Sequence, residues 1–391
     1  MSHHAVPADV DACGDLDEDA LRTGQLAALS SLEGLGQRRL GALLVRHRPD
    51  ELVRCIADGT VALHDDGWRM ARSDVARWRA ELGDDVVTTW AQRCRSLGVR
   101  AVTPDDDEFP RAVRLDERPP PVLFFNGAMP PESMRHAAIV GTRNATSRGR
   151  EFARQLGREL ATSGVVVVSG LARGIDAAAH LCALDAPDVP LVGVIGNGHG
   201  APYPRSNAAL WDEVAARGAV LGEWPPGTPP DAFRFPLRNR IVAALAEVVI
   251  VVESRETGGS LITALAAAER GLTVMAVPGD PRARSSRGTN ELIRDGAVPV
   301  TSTDDVLAAM SLCARPGRIR SVDPRPRPRG VEADVFERVR AVPCTLDQLV
   351  TELGITISGA AMAVARLERT GWVRELDGWF EVVADHREPA R

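Results

Sequence analysis

From residue 137 onward the chain repeats one rhythm: a short apolar run that stops at a small or acidic residue, then an amphipathic stretch. The apolar runs are AAIVG (137–141), VVVVSG (165–170), PLVGVIGNG (190–198), GAVLGEW (218–224), VVIVVES (248–254) and TVMAVPG (273–279). Helical segments such as REFARQLGRELATSG (150–164) and IDAAAHLCAL (175–184) lie between most of them. Strands this apolar have no wet face, so both faces of their sheet must be covered. The rhythm therefore predicts an α/β fold, a Rossmann-like, doubly wound and mostly parallel sheet. Such sheets place ligands at the carboxyl ends of their strands.

The flanks read differently. Residues 1–22 predict a disordered acidic tail, and 23–104 a small helical domain with apolar residues at three- and four-residue spacing. The Rossmann-like domain is expected over 105–312. It opens with the Pro- and Asp-rich connector Asp105–Pro131, which holds one edge strand at Val122–Phe125. Residues 313–330 form a Pro/Arg linker, and 331–391 read as three helices and a hairpin with a DG turn, the outline of a winged helix.

Several classes are excluded. No run approaches the roughly eighteen apolar residues of a membrane helix, and the start of the chain, with His3, His4 and a run of acids, lacks the apolar stretch of a signal peptide. Cys13, Cys55, Cys94, Cys182, Cys313 and Cys344 are scattered without a CxxC pair, so neither a disulfide framework nor a zinc site is expected. A cytoplasmic protein without a membrane partner is expected. Net charge is −6, yet residues 1–30 hold six acids against one Arg, while residues 135–310 hold 18 of each sign. Affinity for phosphate then depends on local arginine clusters, not on the whole chain.

The strand-to-helix loops supply such clusters. After the first strand, Gly141, Thr142, Arg143 and Ser147 combine close backbone approach, a following helix start and side-chain donors; a plain turn with solvated arginines is the alternative. After the second, Ser169, Gly170 and Arg173 reach the same crest, Asp176 caps the next helix, and His180 reads as a packed helix histidine. Asn197, Tyr203 and Arg205 follow the third strand. Tyr203, the only tyrosine, suits base stacking beside a phosphate contact, or equally a loop anchor. Arg238, Asn239 and Arg240 open a helix as an anion clamp. Gly259 and Ser260 sit in TGGSLIT, and PGD and SRGTN repeat the theme after the last strand. Glu223 and Glu253 end neighbouring strands and read as orienting groups for these arginines. No GxGxxG or GxxxxGK[ST] occurs, nor any nucleophile–base pair. The expected ligand is an extended anion, with no catalytic residue, cofactor or metal.

The segments VGTRNATSRGRE, SGLARGIDAAAH, YPRSN, FPLRNRIVAALA, TGGSLITALAA, VPGD and RGTNELIRDGA, in order over about 110–310, resemble the DNA-processing protein A (DprA/Smf) family. The resemblance implies an extended Rossmann-like fold that binds single-stranded DNA and helps load RecA recombinase, in natural transformation and recombination, usually as a homodimer. It implies phosphate contacts from Gly141, Arg143, Ser169 and Arg173, and from Arg238 and Arg240 as the family's RNR. Arg205 stands where the family commonly has Lys; GNGHGAPYP and TGGS depart from the usual loop sequences. LEGLGQRRLGALL resembles a helix-hairpin-helix about Gly34-Leu35-Gly36, or a simple helix connector. The C-terminal AAMAVARLERTG, with only Arg366 and Arg369, is poorly equipped to read a groove, which leaves protein contact or weak DNA contact. TGGSLIT also resembles the phosphate loop of nucleotide phosphoribohydrolases; in that rival reading Glu223 or Glu253 acts at a ribosyl bond and Arg143 holds a 5′-phosphate.

Overall fold

The computed structural model describes residues 16–61, 64–65, 68–69, 71–310, 328–341, 344–376 and 378–382. It divides into two units, 1–313 and 314–391. The first opens with α1 (Glu18–Ser31), α2 (Gly36–Leu44), α3 (Pro49–Asp58), a small antiparallel pair β1 (His64–Asp65) and β2 (Trp68–Arg69), α4 (Arg72–Glu81) and α5 (Val86–Ser96). Leu26, Leu29, Leu40, Leu52, Ile56 and Trp78 form the centre of these helices.

The sheet comprises β3 (Val99–Val102), β4 (Leu123–Gly127), β5 (Arg135–Val140), β6 (Val165–Ser169), β7 (Val192–Val194), β8 (Ala219–Gly222), β9 (Val248–Val251), β10 (Thr273–Ala276) and β11 (Val298–Pro299). Its helices are α6 (Arg111–Arg114), α7 (Ser147–Thr162), α8 (Ile175–Ala183), α9 (Ala208–Arg217), α10 (Arg234–Ala244), α11 (Gly259–Glu269), α12 (Arg287–Arg294) and α13 (Thr303–Ala309). Strand order is β11-β10-β9-β5-β6-β7-β8-β4-β3. Strands β5 to β11 run parallel; β4 is antiparallel to β8, and β3 to β4. The period of two sorts side chains between two cores: Ile139, Val165, Val167 and Ile250 face one layer of helices, and Val140, Val166, Val168 and Val251 the other. The expected fold class is the one observed.

Three boundaries differ from expectation. The strand expected at Val122–Phe125 lies at Leu123–Gly127, one place in from the edge, because β3 takes the edge. That strand sits within the stretch read as helical. Its Val99 and Ala101 are buried among the N-terminal helices, while Val102 joins the sheet's second core, so the helices cover one face of the β3–β4 end. Residues 18–22, read as tail, begin α1: the Asp17 carboxylate accepts from Ala20 N (2.7 Å), and Glu18 and Asp19 occupy the first turn, where a helix dipole favours acids. The rest of the expected tail, 1–15, lies outside the described residues, as does most of the expected linker, 313–327.

At Gly157, α7 meets the backbone of α8 without a side chain between them. A Cβ on Gly157 would lie 2.2 Å from the Ala179 carbonyl oxygen. Gly157→Ala therefore forces these helices apart and is expected to cost about 1–3 kcal/mol, read as a lower urea midpoint with an unchanged slope.

The second unit contains α14 (Val331–Ala341), α15 (Leu346–Leu353), α16 (Ile357–Arg369) and an antiparallel hairpin, β12 (Val373–Leu376) with β13 (Trp379–Val382). Val335, Val339, Leu349, Val364, Leu367 and Phe380 fill its core. On α16, Arg366 pairs with Glu332 (2.9 Å), while Ile357 and Met362 are 60% and 61% exposed. Among the described residues no single helix is long and apolar enough to cross a membrane.

Candidate functional site

Strand β5 starts the parallel run. The chain proceeds from it to β6, β7 and β8 on one side, then returns to place β9 on the other. The β5/β9 junction is therefore the topological switch point, where loops diverge and leave a crevice. A cleft of about 620 Å³ opens there, lined by Gly141, Thr142 and Arg143 after β5, Gly170 and Ala172 after β6, and Tyr203 after β7. Phe235, Arg238 and Asn239 of α10 and Arg255 and Gly258–Ser260 after β9 complete it. A side recess of about 260 Å³ adds Arg173.

The backbone is drawn tightly around this cleft. Thr142 N donates to Glu253 O (2.8 Å), and a Cβ on Gly141 would lie 2.5 Å from Ile175 Cγ1. Nothing lies within 4 Å of a Cβ built on Gly259, so that glycine leaves open space at the mouth. Arg143 and Arg173 are exposed. The Arg143 guanidinium lies 4.7 Å from the Phe235 ring centroid, and the Tyr203 ring is 5.5 Å from the same ring. An arginine over an aromatic face is held in place without losing its N–H donors.

Beneath them sits a buried charge pair. Arg238 is 4% exposed; its Nη1 donates to Gly170 O (2.8 Å) and to Val194 O. Asp176, 6% exposed, accepts from Gly170 N (3.1 Å). Burial pushes the Asp176 carboxyl up, against the pull of Arg238. Burial lowers the Arg238 guanidinium to about 10, against the pull of Asp176, so it stays charged at neutral pH.

Several expected contact residues are engaged elsewhere. Arg238 forms the floor of the cleft: its Nη1 is claimed by two carbonyl groups while the side chain still lines the cleft. Arg240 bonds the Glu223 carboxylate (2.6 Å), so of the three clamp residues Arg238 and Asn239 line the cleft, Asn239 donating its amide to Gly259 O (3.1 Å). The Ser169 hydroxyl, fully buried, donates to Ile139 O (2.6 Å) and ties β6 to β5. Asn197, 1% exposed, bonds Gly198 O and Ala201 O and braces its own loop. Ser260, 7% exposed, donates to Ser254 Oγ (2.9 Å). The start of α7 faces Glu253, which accepts from Thr146 N (2.9 Å) and Thr146 Oγ1 (2.5 Å). That helix end already holds a carboxylate, and Ser147 projects to solvent beyond it. Arg205 is exposed on a short turn outside the cleft lining. Asp176 reaches back to Gly170 N; Gly174 takes the N-cap position of α8. Glu223 orients Arg240 as expected, whereas Glu253 holds a helix end.

Phe235 and Arg255 are among the cleft residues that the sequence does not single out. Phe235 stood in FPLRNR, read for its arginines, and Arg255 follows VVES as a single charge. The N-terminal helices brace this end of the sheet. Both hairpin glycines, Gly34 and Gly36, have positive φ (75° and 65°), and Gln37 Nε2 donates to Glu223 O (3.0 Å).

Two buried histidines behind the loops set an acid limit. His180 Nε2 meets Val167 O (3.4 Å) and His199 Nε2 meets Phe124 O (3.1 Å). Burial lowers each to about 4 from 6.5. The unfolded chain then binds more protons between pH 6.5 and 4, so stability present above 6.5 is lost as pH falls through that window. A urea series from pH 7 to 4.5 is expected to show this fall, and His199→Gln to flatten it.

A family model described as DNA recombination-mediator protein A matches residues 100–311, from within β3 to just past α13. The DprA-type DNA processing protein of Mycobacterium tuberculosis is 34% identical over 358 residues, 85% of this chain and 89% of that one. The DNA processing protein DprA of Bacillus subtilis is 40% identical over 213 residues, 54% of this chain and 71% of that one. The X-ray structure of DNA processing protein A from Streptococcus pneumoniae aligns with a TM-score of 0.61 at 32% identity, covering 74% of this chain and 97% of that one.

Proposed function

From the premise that the chain belongs to the DNA recombination-mediator protein A (DprA/Smf) family, we propose that its switch-point cleft grips the backbone of single-stranded DNA. The family is one of recombination mediators, not enzymes. The observation that carries the reading is the union, in one open cleft, of Arg143, Arg173 and Arg255 with the Tyr203–Phe235 ring pair above the Arg238 charge. Arginines neutralise successive phosphates, and aromatic rings accept the faces of bases that a duplex keeps stacked. Gly141, Gly170 and Gly259 let the strand approach the main chain. Bound strand is protected and presented to RecA recombinase in the cytoplasm, by a protein acting as a homodimer. We assign the C-terminal unit to protein contact, since its α16 presents apolar side chains and its Arg366 is already paired.

The phosphoribohydrolase alternative requires a free carboxylate at the cleft. Glu223 is committed to Arg240 and Glu253 to Thr146, and the carboxylates that line the cleft are Asp176, which faces Arg238, and Asp231 on the rim. Titration of a fluorescent oligonucleotide with the full chain tests the reading. Single strand is expected to bind more tightly than the matching duplex, with no release of base from nucleoside monophosphates. Preference for duplex, or turnover, would overturn it.

A further inference from the structure

We propose that Phe233, backed by Arg234 and Trp224, forms a second stacking shelf that takes an unpaired nucleobase of the strand beyond the cleft. This rests on the single-strand reading of the cleft and adds a binding site to it. The chain is poor in aromatic residues, 4% of the total. Among the residues of the first unit whose exposure the structure describes, the large apolar side chains left exposed include two aromatics, Tyr203 at 42% and Phe233 at 51%. Both stand at the ligand edge of the sheet, although their loops follow different strands. Tyr203 lines the cleft. Phe233 does not, although Ala232 and Phe235 on either side of it do. Its ring therefore stands apart from the cleft, next to it along the chain.

That ring is held from behind. The Arg234 guanidinium lies 4.7 Å from the Trp224 centroid and 4.9 Å from the Phe233 centroid, and the two rings meet edge to face at 6.1 Å and 87°. Arg234 Nη1 donates to Pro229 O (2.7 Å), and Phe233 is the N-cap residue of α10, with helical φ and ψ of −73° and −23°. A ring fixed on a helix end presents its face with little ordering left to lose on binding. The charges select the ligand. Arg234 is turned to rings and a carbonyl, and the exposed carboxylate nearby is Asp231. With Asp231 offsetting Arg234, such a surface offers phosphate no net positive charge and accepts a neutral π face, which a base supplies only when unpaired.

The test titrates wild type, Phe233→Ala, Phe233→Trp and Arg143→Ala with thymidine oligonucleotides of increasing length. Wild-type affinity is expected to rise as the strand grows past the cleft. Phe233→Ala should match wild type on the shortest binding strand and fall about 5- to 100-fold behind on longer ones, with an unchanged salt slope. Phe233→Trp should restore the gain, and abasic positions should abolish the difference. Equal binding by wild type and Phe233→Ala at every length, with Arg143→Ala weakened throughout, would overturn the shelf and leave the cleft standing. A uniform loss in Phe233→Ala would also overturn it, by showing that the ring only supports the cleft. Failure of wild type to bind any single strand would overturn the cleft reading and the shelf with it.

Discussion

Arg143→Ala is expected to weaken single-strand binding by roughly 10- to 100-fold, the value of about 1.5–3 kcal/mol for a hydrogen bond to a charged group. The side chain is exposed, it lies over Phe235, and no ion pair among the described residues engages it. Its charge is therefore free for a ligand, and its removal leaves the core intact. Loss of one phosphate contact should also flatten the dependence of log affinity on log salt by about 0.7. Arg143→Lys should recover only part of the affinity, because an ammonium keeps the charge but loses the planar contact with the ring. Melting temperature should hold in both variants. A weakened variant with an unchanged salt slope would mean that Arg143 acts on the fold of the loop and not on phosphate.

Arg238→Ala should show the opposite signature. Here the side chain is buried against Asp176 and two backbone carbonyls. Removing it strands a carboxylate in the interior and leaves Gly170 O and Val194 O without their donor. Breaking a buried pair in this way costs about 3–5 kcal/mol, a fall in melting temperature on the order of 10 °C. Arg238→Met combined with Asp176→Asn removes both charges and should recover much of that loss. If Arg238→Ala melts like wild type yet fails to bind DNA, the guanidinium is a ligand contact and its role as floor is wrong.

These two arginines mark where the sequence stops being informative. Both occur in motifs of the same character, GTR and RNR, and both carry chemistry suited to phosphate. What separates them is whether backbone carbonyls of neighbouring strands already claim the donors, a property of the assembled sheet. The hydroxyl and amide groups of Ser169, Asn197 and Ser260 are likewise taken up by protein partners. Hydroxyl and amide groups at strand ends serve the main chain as readily as a ligand. The sheet itself was legible, because buried parallel strands such as VVVVS and VVIVV leave no other solution. Its edges were not: VRAV (99–102) is four residues attached to a helix, and β11 is two residues long. The acids at 17–19 look the same in a disordered run as in the first turn of α1. Only the cap from Asp17 and the ion pair of Arg22 with Asp106 (2.7 Å) distinguish the two.

Hydrogen exchange of the full chain, with and without a saturating single-stranded oligonucleotide, tests most directly where the strand lies. Slowed exchange is predicted in residues 141–146, 170–174 and 255–262, with little change in 331–376. Protection confined to the C-terminal unit or to α2, with those three loops unaffected, would contradict the central site.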